Sequence, residues 1–229
     1  MEHTLKNTPV VFRTRIEFSD DEIRRQEIIR RWKDETFQHE HSVARNKVID
    51  YIEFLNKLYI KKTGEGFARH IESRMKTADS ICEKLQRKGC KVNFDVALTR
   101  LNDISGVRVI CFCLKDIYWI VNKIKSDGKY QVIKEKDYIK HPKSNGYQSY
   151  HLILGVPIET PEGQKMMRVE IQLRTIIMDA WASVDQRVIY KKKKRISSKL
   201  KERVKQYGKM GNMLDDLIQV TLDENYKKV

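Results

Sequence analysis

The sequence predicts an α+β domain with helical N- and C-terminal extensions. Residues 107–114 and 167–174 carry the apolar runs and two-residue alternation of strands. Val48, Ile52, Leu55 and Tyr59 recur at the spacing of an amphipathic helix. Only 4 prolines and 10 glycines occur among 229 residues, and no Ser/Gly-rich linker divides them, so one compact domain is expected.

Composition bounds the function. A hydrophobic content of 40% is enough for a substantial core. No long uncharged apolar run is present, which argues against a transmembrane helix. Met1-Glu2-His3-Thr4-Leu5-Lys6 lacks the apolar core of a signal peptide. Cys82, Cys90, Cys111 and Cys113 make no disulfide framework in a chain of this size, and none has partners at zinc-ligand spacing. A reducing, cytoplasmic setting is therefore expected. The net charge of +15 attracts polyanions: nucleotides, nucleic acid or a membrane surface. Part of it is concentrated in the run Lys191-Lys192-Lys193-Lys194-Arg195, which reads equally well as a solvated helix end.

Residues 1–18 show no clear period. Ser19-Asp20-Asp21-Glu22 is an N-cap with first-turn acids and predicts a helix to about residue 33. A longer helix is predicted over 37–60, ended by Gly64-Glu65-Gly66. Residues 67–76 read as a strand, which puts Arg74 and Lys76 on one face. Thr77 caps a short helix to about residue 88, with Ser80 and Lys84 on one side and Ile81 and Leu85 on the other. Arg74, Lys76 and Lys84 can thus converge at a strand-to-helix junction, where a helix N-terminus also favours anions.

Asp103-Ile104-Ser105-Gly106 leads into the 107–114 strand. Asp103 at its mouth suits a metal-binding carboxylate or a turn cap. Asp116 opens a helix that buries Ile117, Ile120, Val121 and Ile124 and stops at Asp127-Gly128. A short strand over 130–135 feeds a loop rich in lysine, in which Pro142 and Asn145-Gly146 signal a turn. Extending the next strand back to Tyr147 puts Tyr147, Ser149 and His151 on one face. An aromatic, a hydroxyl and an imidazole beside lysines suit a phosphorylated ring compound. Thr160-Pro161-Glu162-Gly163 makes a hairpin turn into the 167–174 strand. There Val169, Ile171 and Leu173 face the core, and Glu170, Gln172 and Arg174 face the other way as a wet outer face or an active-site floor; pairing with the Tyr147–His151 strand favours the floor. Asp103 and Glu170, at neighbouring strands, can hold one Mg2+ through oxygen ligands. Thr175 caps a helix with Met178, Trp181, Ala182 and Val188. The tail from 197 is helical, bent at Gly208 and Gly211, with Leu200, Val204, Tyr207, Leu214, Leu217 and Ile218 apolar; it serves as an oligomer contact or packs on its own domain.

Taken together these blocks resemble the small alarmone synthetases of the RelA/SpoT family, over about residues 51–190. The resemblance rests on Arg74-Met75-Lys76 with Lys84, on Asp103-Ile104-Ser105-Gly106-Val107-Arg108, and on Lys136-Asp137-Tyr138-Ile139 followed by Pro142-Lys143 and Gly146-Tyr147. Val169-Glu170-Ile171-Gln172-Leu173-Arg174-Thr175 and Met178-Asp179-Ala180-Trp181-Ala182 complete it. It implies a nucleotidyltransferase-like mixed β-sheet flanked by helices. Residues 1–62 would be an N-terminal helical extension, 63–195 the synthetase core and 196–229 a helical tail, with no hydrolase domain before and no regulatory domain after. The implied reaction moves pyrophosphate from ATP to the 3'-hydroxyl of GDP or GTP, with AMP leaving. By matching positions, Arg74 and Arg108 would sandwich the adenine, and Lys76 and Lys84 would hold the ATP phosphates. Asp103 and Glu170 would bind Mg2+, with Glu170 also the base. Tyr147 would stack on guanine, and Lys143 and His151 would meet the acceptor's 5'-phosphates. Homotetramers built through terminal helices are implied as well. One departure stands out: the family usually shows Glu-His where this chain has Asp185-Gln186, which loses an imidazolium charge. The same fold also admits a tRNA 3'-CCA pyrophosphokinase toxin, which the basic run would suit, or an RNA-binding module with a degenerate site. The intact Asp103 and Glu170 argue against the last, and free nucleotide is the favoured acceptor.

Overall fold

The structure, a computed structural model, describes residues 19–190 and 197–226, so the run 191–195 lies outside the described residues. Helix α1 (Asp20–Trp32) begins at Ser19, whose hydroxyl accepts from Glu22 N. Helix α2 (Glu35–Thr63) is capped by Asp34 and ends at Gly64, whose φ of 85° is the left-handed C-cap that favours glycine. Strand β1 (Ala68–Met75) follows, and Thr77 accepts from Ser80 N to start α3 (Ala78–Arg87). Helix α4 (Phe94–Arg100), capped by Asn93, was not foreseen from the sequence. Next come β2 (Ser105–Cys111), α5 (Leu114–Asp127), β3 (Gln131–Asp137), β4 (Tyr150–Thr160) and β5 (Gly163–Thr175). Helix α6 (Ile176–Asp185), capped by Thr175, runs into a π-helical turn (Gln186–Tyr190), and α7 (Ser198–Tyr226) closes the chain.

The five strands form one mixed sheet in the order β1-β2-β5-β4-β3. Strands β2 and β5 are parallel; the other neighbours are antiparallel. Alternation sends Val107, Val109, Leu152, Leu154, Val169, Ile171 and Leu173 into a core roofed by α2 and α5. The stripe Val48, Ile52 and Leu55 of α2 is fully buried there, as are Ile117 and Ile120 of α5. A second cluster joins Ile28 and Trp32 of α1 to Ile81 and Leu85 of α3 and Phe94 and Ala97 of α4. Cys82, Cys111 and Cys113 are buried free thiols, as small core residues should be.

One expectation fails. The strand carrying His151 begins at Tyr150, so strict alternation does not extend back to Tyr147. Ser149 is fully buried and donates to Leu173 O at 2.9 Å, away from Tyr147 and His151. Helix α7 runs unbroken across Gly208 and Gly211, through Ser198–Tyr226. Both glycines allow close packing. A Cβ at Gly208 would lie 3.0 Å from Gly146 O and 3.1 Å from Trp181 Nε1, and one at Gly211 would lie 3.0 Å from Ile177.

Candidate active site

The sheet face opposite the α2–α5 roof carries the polar residues. Register places them in two rows across all five strands. One row is Glu72, Arg108, Gln172, His151 and Lys136; the other is Arg74, Gly106, Glu170, Ile153 and Lys134. Residues directly paired across strands share a face, so β-sheet register alone brings together residues from five segments of the chain. Gly106 has no side chain beside Glu170, which leaves that part of the face open.

At one end, Lys76 N donates to Ile104 O at 2.8 Å, which ties the exit of β1 to the loop before β2. Asp103 therefore meets Lys76. Lys76 Nζ lies 2.8 Å and Lys84 Nζ 2.5 Å from Asp103 Oδ2. Lys84 reaches it because α3 starts at Thr77 and buries Ile81 and Leu85 on its far side. Burial pushes the Asp103 carboxyl up, but the two ammonium groups outweigh it and bring it down to about 2. Arg108 donates to Glu72 at 2.6 Å and lies 3.7 Å from Asp179. Arg74 and Arg108 line one cleft together with Asp103, Gly106, Glu170 and Gln172.

At the other end, Glu170 accepts from His151 Nδ1 at 3.0 Å and from Gln172 Nε2 at 2.7 Å. Burial raises its pKa, and these two partners turn the net shift downward. The carboxylate is therefore held in its charged form. His151 Nε2 meets the Tyr147 hydroxyl at 2.8 Å, so both imidazole nitrogens have protein partners. Lys143 Nζ stands 4.7 Å over the Tyr147 ring and 4.6 Å over that of Tyr138. Asp103, Glu170 and His151 line a second cleft with Lys84, Lys134 and Lys136. The two clefts share Asp103 and Glu170.

Apart from Ser149, every predicted site residue thus lies on this one face or at its rim. Lys88, Arg100 and Lys134 also line the second cleft and were not picked out from the sequence. Lys134 was legible in principle from the alternation of β3; Lys88 and Arg100 stand at helix ends that reach the cleft only through tertiary packing. Asp185 and Gln186 mark the passage from α6 into the π-helical turn. A cavity of about 670 Å3, between α1, α4 and the start of α2 and β5, contains neither carboxylate. The cationic clefts, not this larger cavity, hold Asp103 and Glu170.

The donor set fits a hard cation. Asp103 Oδ1 is buried and makes no hydrogen bond, and both carboxylates offer oxygen ligands. No group of three or more His, Cys, Asp or Glu side chains comes together as a metal cage among the described residues. Two carboxylates completed by substrate oxygens are the usual holding set for Mg2+.

Comparison with known proteins follows the same outline. Residues 73–195 match the family described as a region found in RelA / SpoT proteins. The chain is 38% identical to the GTP pyrophosphokinase YwaC of Bacillus subtilis over 153 residues, 67% of this chain and 73% of that protein. It is 32% identical to the GTP pyrophosphokinase YjbM of the same organism over 146 residues, 64% of this chain and 68% of that protein. Among solved structures, small alarmone synthetase 1 of Bacillus subtilis bound to its product pppGpp superposes with a TM-score of 0.75 at 27% identity, covering 83% of this chain and 98% of that one. Small alarmone synthetase 2 of that organism gives 0.71 at 33% identity, covering 80% and 96%.

Proposed function

The chain belongs to the RelA/SpoT family, and we propose that it is a GTP/GDP pyrophosphokinase that transfers pyrophosphate from ATP to the 3'-hydroxyl of GDP or GTP. The observation that carries this reading is the placement of two charged carboxylates, Asp103 and Glu170, between a cationic end and an aromatic end of one open face. ATP occupies the first end. Arg74 and Arg108 take the adenine between them, and Lys76 and Lys84 transfer part of their attraction from Asp103 to the triphosphate. The guanine nucleotide occupies the second end. Its base stacks on Tyr147, and Lys143 and His151 stand on the side of its 5'-phosphates.

Glu170 takes the proton of the 3'-hydroxyl. The hydroxyl oxygen bonds to the β-phosphorus of ATP, the bond from that phosphorus to the α,β-bridging oxygen breaks, and AMP leaves. Mg2+, held by Asp103 and Glu170, would neutralise phosphate charge at this point. Such a transfer requires alignment and charge neutralisation more than covalent help from the protein. We further propose a cytoplasmic homo-oligomer, with a tetramer favoured. No helix among the described residues is long and apolar enough to cross a membrane.

The test uses purified protein, Mg2+ and ATP labelled on its γ-phosphate, with GDP, GTP or bulk tRNA as acceptor. Label on GDP or GTP is expected. Label on tRNA alone would replace the acceptor while leaving the donor site in place.

A further inference from the structure

Five side chains of the open face close a hydrogen-bonded ring. Arg174 Nη2 donates to the Tyr147 hydroxyl at 3.1 Å and to Gln172 Oε1 at 3.2 Å. Tyr147 meets His151 Nε2 at 2.8 Å, and His151 Nδ1 meets Glu170 Oε1 at 3.0 Å. Gln172 Nε2 donates to Glu170 Oε2 at 2.7 Å. One set of proton positions satisfies every bond of the ring. Tyr147 oxygen already accepts from Arg174, so its single proton is free to point at His151 Nε2. That nitrogen then accepts, which places the imidazole proton on Nδ1, aimed at Glu170. Two donor chains therefore run from one cation to one carboxylate. The first passes through Tyr147 and His151; the second passes through Gln172. Each ends on a different oxygen of Glu170.

Arg174 is itself firmly placed. It is buried, and its Nη1 is anchored on Asp179 at 2.9 Å. Bonds in such a chain polarise one another, and a carboxylate with both oxygens engaged keeps one orientation.

We infer that Gln172 and Arg174 are positioning residues that orient the Glu170 carboxylate, and that the Tyr147 hydroxyl belongs to the same device apart from its ring's stacking role. This rests on the function proposed above. It adds that the acceptor's stacking platform and the base are one connected unit, so the base is aligned where the acceptor binds. Misplacing a reacting group by a fraction of an ångström is costly even where binding is intact.

Tyr147→Phe keeps the stacking face and removes only the hydroxyl. Gln172→Met keeps length and removes both hydrogen bonds. Kinetics of each variant, of the double variant and of Glu170→Gln are measured with Mg2+, ATP and GDP, alongside Tm. Each single variant is expected to lose about tenfold or more in kcat, with both KM values within about twofold of the parent. The double variant should lose less than the product of the two, because both changes act through one carboxylate. The inference is overturned by parental kcat in both single variants, by losses confined to KM, by a lower Tm with unchanged kcat, or by a multiplicative double. An active Glu170→Gln enzyme would instead remove the proposed base itself. An inactive Glu170→Gln with parental ring variants removes the ring inference alone.

Discussion

At the scale of single residues, the proposed roles of Glu170 and of the Lys76–Lys84 pair predict different kinetic losses. Glu170→Gln keeps the shape of a buried side chain and removes its charge and proton acceptor. Turnover is expected to fall roughly 100-fold or more while Tm stays close to that of the parent. A folded variant with near-parental turnover would refute the assignment. Lys76→Ala and Lys84→Ala would each remove one of the proposed charge-assisted phosphate contacts. Each is expected to raise the KM for ATP about tenfold, with the KM for the guanine nucleotide little changed; equal effects on both substrates would misplace the two lysines. Much of the placement of these side chains was legible from spacing. A strand followed by the Thr77 cap sends Arg74, Lys76 and Lys84 to one junction, and alternation in β5 sends Glu170, Gln172 and Arg174 to one face. Ser149 was misread because alternation holds only inside a strand, and the strand starts one residue later. The ring of hydrogen bonds was not legible, because a shared face does not specify which polar atoms meet across three segments.

At the scale of elements, α7 is the back wall of the loop that carries Gly146 and Tyr147, the proposed acceptor loop. Trp181 of α6 donates to Val204 O at 2.8 Å, its ring centroid lies 6.1 Å from that of Tyr147, and Gly208 packs on Gly146 just before Tyr147. In an ordinary helix interior, Gly→Ala stabilises by about 0.5–1 kcal/mol. Here the added methyl meets backbone at 3.0 Å, so the loop must move. Gly208→Ala is therefore expected to raise the KM for the guanine nucleotide several-fold without raising Tm, and a higher Tm with unchanged KM would contradict the contact. The same wall holds Asp215, which is 2% exposed and accepts from Thr175 Oγ1 at 2.8 Å. Burial, with Asp216 adding to it, raises its carboxyl to about 6 against the pull of Thr175. A carboxyl raised on folding penalises the folded state above its folded pKa, and the penalty fades as pH falls toward the unfolded value. Asp215→Asn should thus stabilise by about 1–3 kcal/mol at pH 7.5, with the gain shrinking toward pH 4. Thermal melts of both proteins across that range check the sign; a destabilised variant at neutral pH would show that the charge is compensated. The sequence marked α7 as helical and apolar but not its partner, since a hydrophobic stripe does not name what it covers. Helix α4 escaped notice for a related reason: seven residues are too few to display a period.

For the whole molecule, the decisive feature is that α7 has two apolar faces. Val204, Gly208 and Asp215 are buried against the domain. Tyr207, Met210, Met213, Leu214, Leu217 and Val220 lie on the outside, each at least 45% exposed. The two sequence readings of the tail therefore apply to different sides of one helix: Val204 belongs to the domain, whereas Leu214 and Leu217 point outward. Contiguous exposed apolar side chains on a chain of net charge +15 are a marked local departure from a charged surface. A second copy of the chain covering this face is consistent with the proposed homo-oligomer. Truncating the tail would be a poor test, since it removes the buried side together with the exposed one and uncovers Trp181 and Gly146. Charge placed on the outer side alone is cleaner. Met213→Lys with Leu217→Lys leaves Val204, Gly208 and Asp215 in place. Light scattering should then report particles of smaller mass than the parent's, with the cooperative unfolding of the subunit preserved. An oligomeric variant of parental mass would move the subunit contact elsewhere, and a monomeric parent protein would remove the oligomer proposal altogether.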